Sequence, residues 1–287
     1  MTIGYLLAVL TGICFGIQGV YAKWISRDIP AIFLAWITFA FTVPFLGILV
    51  ISSGIPEIQW QPFLLATLTS FCVNVIAWYL FFRALQLSPI YLTMPFTALT
   101  PLFLIPVSFL LLGEFPNVQG GLGVGCIILG AYGLHLRSGD LVEPIRALFR
   151  EKGTRLMMIV ALIWSISATV EKVAVLNSSP VFYGLVIHLL LAVAYLPLIV
   201  WRHGERLRAL QRDWKKFSGM GLISAAVVVF QFTALQYLLV SYVIAFKRAG
   251  ILISVLLGYV VFREAGVLRN LVFSALMVAG ATLIMLS

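Results

Sequence analysis

Ten apolar stretches, each about 20 residues long and so able to cross a bilayer core as a helix, follow one another along this chain. They lie near 3–22, 31–52, 62–82, 89–113, 118–136, 156–176, 181–201, 218–238, 242–262 and 268–287. Several links are too short for anything but a turn, such as EFPN at 114–117. Neighbouring spans must then be antiparallel hairpins, and no stretch is long enough for a soluble domain. Composition agrees: 62% of the residues are hydrophobic and 10% charged, against about a quarter charged in soluble domains. The mean hydropathy is +1.09. The expected fold class is all-α integral membrane.

Only the fifth link, 137–155 (RSGDLVEPIRALFREKGTR), and the seventh, 202–217 (RHGERLRALQRDWKKF), are long and polar. They hold Arg137, Arg146, Arg150, Lys152 and Arg155, then Arg202, Arg206, Arg208, Arg212, Lys215 and Lys216. Arg27, Arg83, Arg263 and Arg269 lie in the first, third and ninth links, so the cations collect on odd-numbered links and on one face. The positive-inside bias places that face in the cytoplasm and both termini outside. The net charge of +9 therefore reports topology against anionic lipid, and no nucleic-acid partner is expected. Cys14, Cys72 and Cys126 all fall inside apolar spans, at no metal-ligand spacing. The opening MTIGYLLAVL lacks the basic flank of a cleaved signal peptide, so the first span reads as retained.

Helical membrane proteins of this length are worth searching for internal repeats. A shift of 150 residues aligns ALQ at 84–86 with ALQ at 234–236, Glu114 with Glu264, and Gly130-Ala131 with Gly280-Ala281. A shift of 149 aligns Lys23 with Lys172 at the ends of the first and sixth spans. Two units of five spans follow, 1–136 and 156–287, joined by a basic linker loop at 137–155. Five is odd, so the second unit enters the membrane from the opposite side. The expected architecture is ten transmembrane helices as two inverted five-helix repeats around a central cavity. Inverted repeats suit alternating access, because two near-equivalent halves can exchange conformations around one central site.

These residues resemble a known family. Each unit ends in a Gly/Ala-rich span after LLLGE at 110–114 or VVFRE at 260–264, and a Lys closes the first span of each unit. The pattern is similar to the drug/metabolite transporter superfamily, in its ten-helix EamA type, over nearly the whole chain. The resemblance implies a ten-helix basket around a cavity that carries small metabolites, often outward. Members commonly keep both termini in the cytoplasm, whereas the charge distribution here places them outside.

Lys247 and Arg248 stand side by side within the ninth span. A cation at a helix centre costs about 2.5–3.5 kcal/mol on insertion scales. Long side chains can snorkel, but neighbours on a helix point about 100° apart, so both facing lipid is disfavoured. One reading has one cation snorkelling and the other pairing locally. The other has both facing a wet cavity as an anion site, where a guanidinium grips carboxylate or phosphate through two hydrogen bonds. The triose-phosphate translocator branch of the same superfamily carries a similar Lys-Arg pair in its ninth helix. Counted from Phe262, the present pair sits about one helical turn further from the helix end. Thr97-Ala98 hold the equivalent positions in the first unit.

Trp164, Ser167 and Glu171 share a face of the sixth span, and Phe15, Gln18 and Ala22 hold the matching positions in the first. Glu171 can neutralise a cation of the pair, carry a coupling proton, or pair with Lys172. Asn74 and Trp78, one turn apart in the third span, and Gln231 in the eighth are further candidate lining residues. His188 reads as packing or a proton shuttle. Glu114 and Glu264 read as turn residues. Gly12/Gly16 and Gly121/Gly125 read as small-residue pairs for close helix approach. GGLGVG at 120–125 follows no strand and lies in a span, which excludes a dinucleotide loop. The candidate binding set is thus Lys247, Arg248, Glu171, Trp164, Ser167, Gln18, Trp78, Asn74 and Thr97, with no catalytic or metal residue and no cofactor.

The expected function is a secondary active transporter, exporter or exchanger, of a small anionic or zwitterionic metabolite such as an amino acid or organic acid. No P-loop is present, so a gradient of substrate, counter-substrate or protons supplies the energy. The alternative is efflux of lipophilic cations, which two cations in the site would repel. A membrane-embedded enzyme is a third possibility, without an HExxH, Asp-rich or nucleophile-elbow motif to carry it. The expected setting is multi-pass, in the bacterial inner (cell) membrane, as a monomer or weak dimer in contact with the lipid bilayer.

Overall fold

A helix that is apolar on every side must be surrounded by lipid or by other helices, and helices of that kind make up this molecule. The computed structural model describes residues 2–25, 29–88, 94–134, 143–250, 252–253, 256–257 and 267–287. We number the principal helices α1 (Thr2–Ile25), α2 (Ala31–Ser53), α3 (Trp60–Leu87), α4 (Thr100–Leu112), α5 (Val118–Leu134), α6 (Lys152–Leu176), α7 (Pro180–His203), α8 (Trp214–Leu235), α9 (Val240–Ala249) and α10 (Val267–Met285). No strand occurs among the described residues. Six of these helices (α1, α2, α3, α6, α7 and α8) are long and apolar enough to cross a membrane, and Phe96–Leu112, Val118–Gly133 and Val272–Met285 form shorter apolar helices. The chain is an integral, multi-pass membrane protein.

Local sequence explains the boundaries. Ser179 caps α7 by accepting from the Phe182 amide at 3.2 Å, with Pro180 in the first turn, where its missing amide does no harm. Gly113 ends α4 in the left-handed region at φ 68, where a Cβ would be strained. The fourth span departs from the continuous helix expected over 89–113. Met94–Leu99 form a 3-10 helix, and α4 begins only at Thr100. Proline disfavours the α conformation in the residue before it and cannot donate to the preceding turn; Pro95 and Pro101 put that break here. Residues 89–93 and most of 251–266 lie outside the described set, which takes in Glu264, Arg263 and the second half of the ninth span. The link expected as a loop over 137–155 carries a helix, Glu143–Arg150, and α6 starts at Lys152.

Helix contacts come in mirrored sets. α3 packs on α6 and α8 packs on α1; α4 meets α6 and α9 meets α1; α2–α7, α4–α9 and α5–α10 pair with their own counterparts. A two-fold relation between the two five-helix units requires this pattern. Between α2 and α7, the Trp36 indole donates to the Ala192 carbonyl at 3.0 Å, and Tyr195 Oη joins α7 to α3 through the Val75 carbonyl at 2.9 Å.

Glycines set the tightest approaches. At α1–α9, a Cβ on Gly12 would lie 2.5 Å from the Phe246 carbonyl oxygen, and one on Gly250 would run into the backbone of Gly12. Gly16 meets the Gly250 carbonyl in the same way. At α5–α10, Gly123 and Gly280 would each place a Cβ 2.6 Å from the other's carbonyl oxygen. Gly12/Gly16 therefore works as the spacing suggested, but Gly121/Gly125 does not: both face open space, and Gly123 carries the contact two residues round the helix. Gly250→Ala is expected to destabilise the protein by roughly 1–3 kcal/mol through overpacking, seen as a lower thermal transition in detergent.

Candidate functional site

One cavity of about 420 Å³ lies between the two halves, within the range of small-molecule sites. Its wall carries Lys247 from α9 and Glu171 from α6, with Gln18, Asn74, Thr38, Ser224, Gln231 and His188 supplying further polar groups. Phe15, Phe39, Trp78, Phe81 and Phe232 add aromatic rings to a mostly apolar wall. On four helices the lining reaches toward the ends at the basic links: Ala22 on α1, Leu34 on α2, Phe81 on α3 and Met220 on α8.

Lys247 Nζ donates to Gln231 Oε1 at 2.7 Å and stands 5.0 Å from the centre of the Phe15 ring. An ammonium has three donors, so this arrangement leaves capacity for an anion. Arg248 departs from the expectation that both cations face one cavity. It is not among the lining residues. Its Nη2 donates to Thr100 Oγ1 at 3.3 Å, and its guanidinium carbon lies 5.9 Å from the Trp164 ring centre. Its Nε is buried with no hydrogen-bond partner among the described residues. The rotation of about 100° between helix neighbours sends the second cation behind the wall, toward the break that precedes α4.

Glu171 pairs directly with neither cation of the ninth span and not with Lys172. Its Oε1 accepts from Ser167 Oγ at 2.8 Å, Asn74 Nδ2 at 3.4 Å and Ser70 Oγ at 3.5 Å. Asn74 Nδ2 also reaches Ser167 Oγ at 2.5 Å, and Tyr183 Oη donates to Ser70 Oγ at 2.9 Å. Three hydrogen-bonding side chains on α3 and α6 thus hold one carboxylate at the wall, and Tyr183 on α7 braces one of them. Ser167 is buried beneath it and does not line the cavity. Trp164 is also off the wall, packing against Trp78 and Phe81 with ring centres 5.5 Å apart in both pairs. Thr97 is buried in the 3-10 segment, where its carbonyl accepts from Thr100 Oγ1 at 2.8 Å. His188 Nδ1 lies 2.9 Å from the Gly184 carbonyl, and its ring meets Phe39 at 5.9 Å.

Five of the expected binding residues (Lys247, Glu171, Gln18, Asn74 and Trp78) therefore come together at the wall, while Arg248, Trp164, Ser167 and Thr97 stand behind it. Sequence reasoning missed Ser70, Tyr183, Phe39 and Phe232. Ser70 was findable, since it lies one turn before Asn74 and two before Trp78 on the same face of α3.

At the opposite end, away from the basic links, a second polar cluster closes the bundle. Lys172, at the end of α6, forms an ion pair with Glu114 and donates to the Leu238 carbonyl at 2.7 Å. The other carboxylate oxygen of Glu114 accepts from the Val240 amide at 3.0 Å, at the first turn of α9. Glu114 is thus more than a turn residue. One ion pair, with side chains 10% and 14% exposed, joins the ends of α4 and α6 to the start of α9.

Among curated proteins no relative matches the chain. A solved structure described only as "Crystal structure of protein" superposes with a TM-score of 0.72 at 17% identity, covering 99% of this chain and 97% of its own. That likeness shows the fold. The model of the EamA-like transporter family matches residues 2–136 and again 151–286. With a helical membrane-spanning bundle, mirrored contacts between its halves and a family match over both of them, the chain belongs to the EamA-like transporter family, membrane transporters of the drug/metabolite type.

Proposed function

We propose that the protein is a secondary transporter of a small zwitterionic or anionic metabolite, with amino acids the best fit, and that Lys247 and Glu171 bind opposite ends of it. The observation that carries this reading is the presence of one cation and one carboxylate on the wall of the same mostly apolar cavity. Lys247 binds the substrate carboxylate and Glu171 its ammonium group. Gln18 and Gln231 complete the polar contacts, and Trp78, Phe39 and Phe81 take an apolar side chain. Access alternates: the cavity loads from the face of the basic links while the Lys172–Glu114 pair closes the other face. The positive-inside bias makes the loading face cytoplasmic. Arg248 acts through packing at the break before α4 and not as a substrate ligand.

Lipophilic-cation efflux is the competing reading, favoured by Glu171 and the aromatic rings in the wall and opposed by Lys247. Purified protein in liposomes, assayed for exchange of labelled amino acids, organic acids, sugar phosphates and lipophilic cations, separates the two. Saturable exchange of zwitterions or anions is expected. Exchange of cations alone overturns the reading. In the same assay Arg248→Met is expected to leave the half-saturation concentration unchanged. A large rise would return Arg248 to the binding site.

A further inference from the structure

We propose that the helix Glu143–Arg150, in the linker between the two halves, lies in the plane of the membrane surface and binds the headgroup layer of anionic phospholipid. The inference uses only the membrane location of the chain, and stands whatever the substrate is.

The helix reads EPIRALFR. Ile145 and Phe149, four residues apart, share one face, and Arg146 and Arg150, also four apart, share another about 100° round. The apolar face stands off the protein, with Ile145 50% and Phe149 80% exposed. A short helix with exposed apolar side chains on one face and guanidinium groups on another is built for the boundary between acyl chains and headgroups.

Its placement fits that boundary. The backbone is extended at Glu151, with φ −103 and ψ 125, and α6 begins at the next residue, so the linker helix cannot continue the span and must turn aside from it. The turn is pinned to the end of α3. Ser88 Oγ donates to Glu151 Oε2 at 2.8 Å and accepts from the Gly153 amide at 3.1 Å. The helix is therefore tethered at the level where α3 leaves and α6 enters the bilayer. The same face carries exposed indoles beneath cations: Arg202 lies 5.2 Å from the Trp201 ring centre, Lys215 5.9 Å from Trp214 and Lys216 6.0 Å from Trp24. Tryptophans at this level mark the membrane interface, and the surrounding Lys and Arg give it affinity for negative headgroups.

The test is a spin-label scan. Ile145→Cys, Arg146→Cys, Phe149→Cys and Arg150→Cys are made in the full chain after Cys14, Cys72 and Cys126 are replaced. Each is labelled in vesicles of phosphatidylcholine with and without phosphatidylglycerol. Labels at 145 and 149 are expected to be accessible to oxygen and shielded from a water-soluble nickel complex, and those at 146 and 150 the reverse. Phosphatidylglycerol should deepen the contrast, and the Arg146→Gln/Arg150→Gln double variant should lose that dependence. Labels at all four positions exposed to nickel in both lipids overturn the proposal. So do labels at 145 and 149 that are immobile and closed to both reagents, which marks a protein partner or second copy. A contrast indifferent to phosphatidylglycerol also overturns it, by removing the anionic headgroup as the ligand.

Discussion

Replacing Lys247 with alanine is expected to raise the half-saturation concentration for the transported anion or zwitterion by about 10- to 150-fold. A hydrogen bond to a charged group contributes about 1.5–3 kcal/mol, and each 1.4 kcal/mol is a factor of ten in affinity. Gln231 loses its partner at the same time, so part of the effect is a freed amide in the wall. Lys247→Arg keeps the charge but carries a planar fork in place of a compact ammonium, and an intermediate value is expected. Counterflow measurements in liposomes, with folding checked by thermal unfolding, provide the readout. Unchanged half-saturation in Lys247→Ala would remove the cation from the substrate.

Breaking the closure at Lys172 and Glu114 has the second large effect. Glu114→Gln leaves a buried ammonium without its counter-charge, and breaking a buried pair costs about 3–5 kcal/mol. That loss falls on the conformation in which α4, α6 and the start of α9 are joined. A cysteine at Ser224, on the cavity wall, reports it. In the parent protein an impermeant maleimide should reach it only from the face of the basic links, and in Glu114→Gln from both faces. The Glu114→Leu/Lys172→Met double variant, which removes both charges, is expected to recover much of the thermal stability that the single change loses. Parent-like labelling and stability in Glu114→Gln would show that the pair does not hold this face shut.

Most of the fold was legible because lipid leaves a chain few options: apolar length and polar interruptions mark the spans, and the 150-residue offset marks the halves. The break before α4 was written in Pro95 and Pro101, but a count of apolar residues does not register it. The site was harder to read. Lys247, Glu171, Asn74, Gln18 and Trp78 announce themselves as polar or amphipathic residues in apolar spans. Which side of a helix a residue faces depends on the rotation of that helix against its neighbours, and that rotation is set by packing. For this reason adjacent Lys247 and Arg248 looked like one site and belong to two environments, and Gly121/Gly125 yielded its contact to Gly123. The link between Glu114 and Lys172 joins residues 58 apart in the chain, and no local pattern points from one to the other.

The backbone contact of Gly12 and Gly16 with Gly250 has a consequence for how substrates are sorted. It couples α9, which bears Lys247, to α1, which bears Phe15 and Gln18, although the two helices belong to different halves of the chain. On the proposed reading these three side chains move as one jaw, and Glu171, with Asn74 on the neighbouring α3, forms the other. If a zwitterion is gripped at both ends as proposed, it works as a gauge between the jaws, and its reach from carboxylate to ammonium is sorted along with its charge.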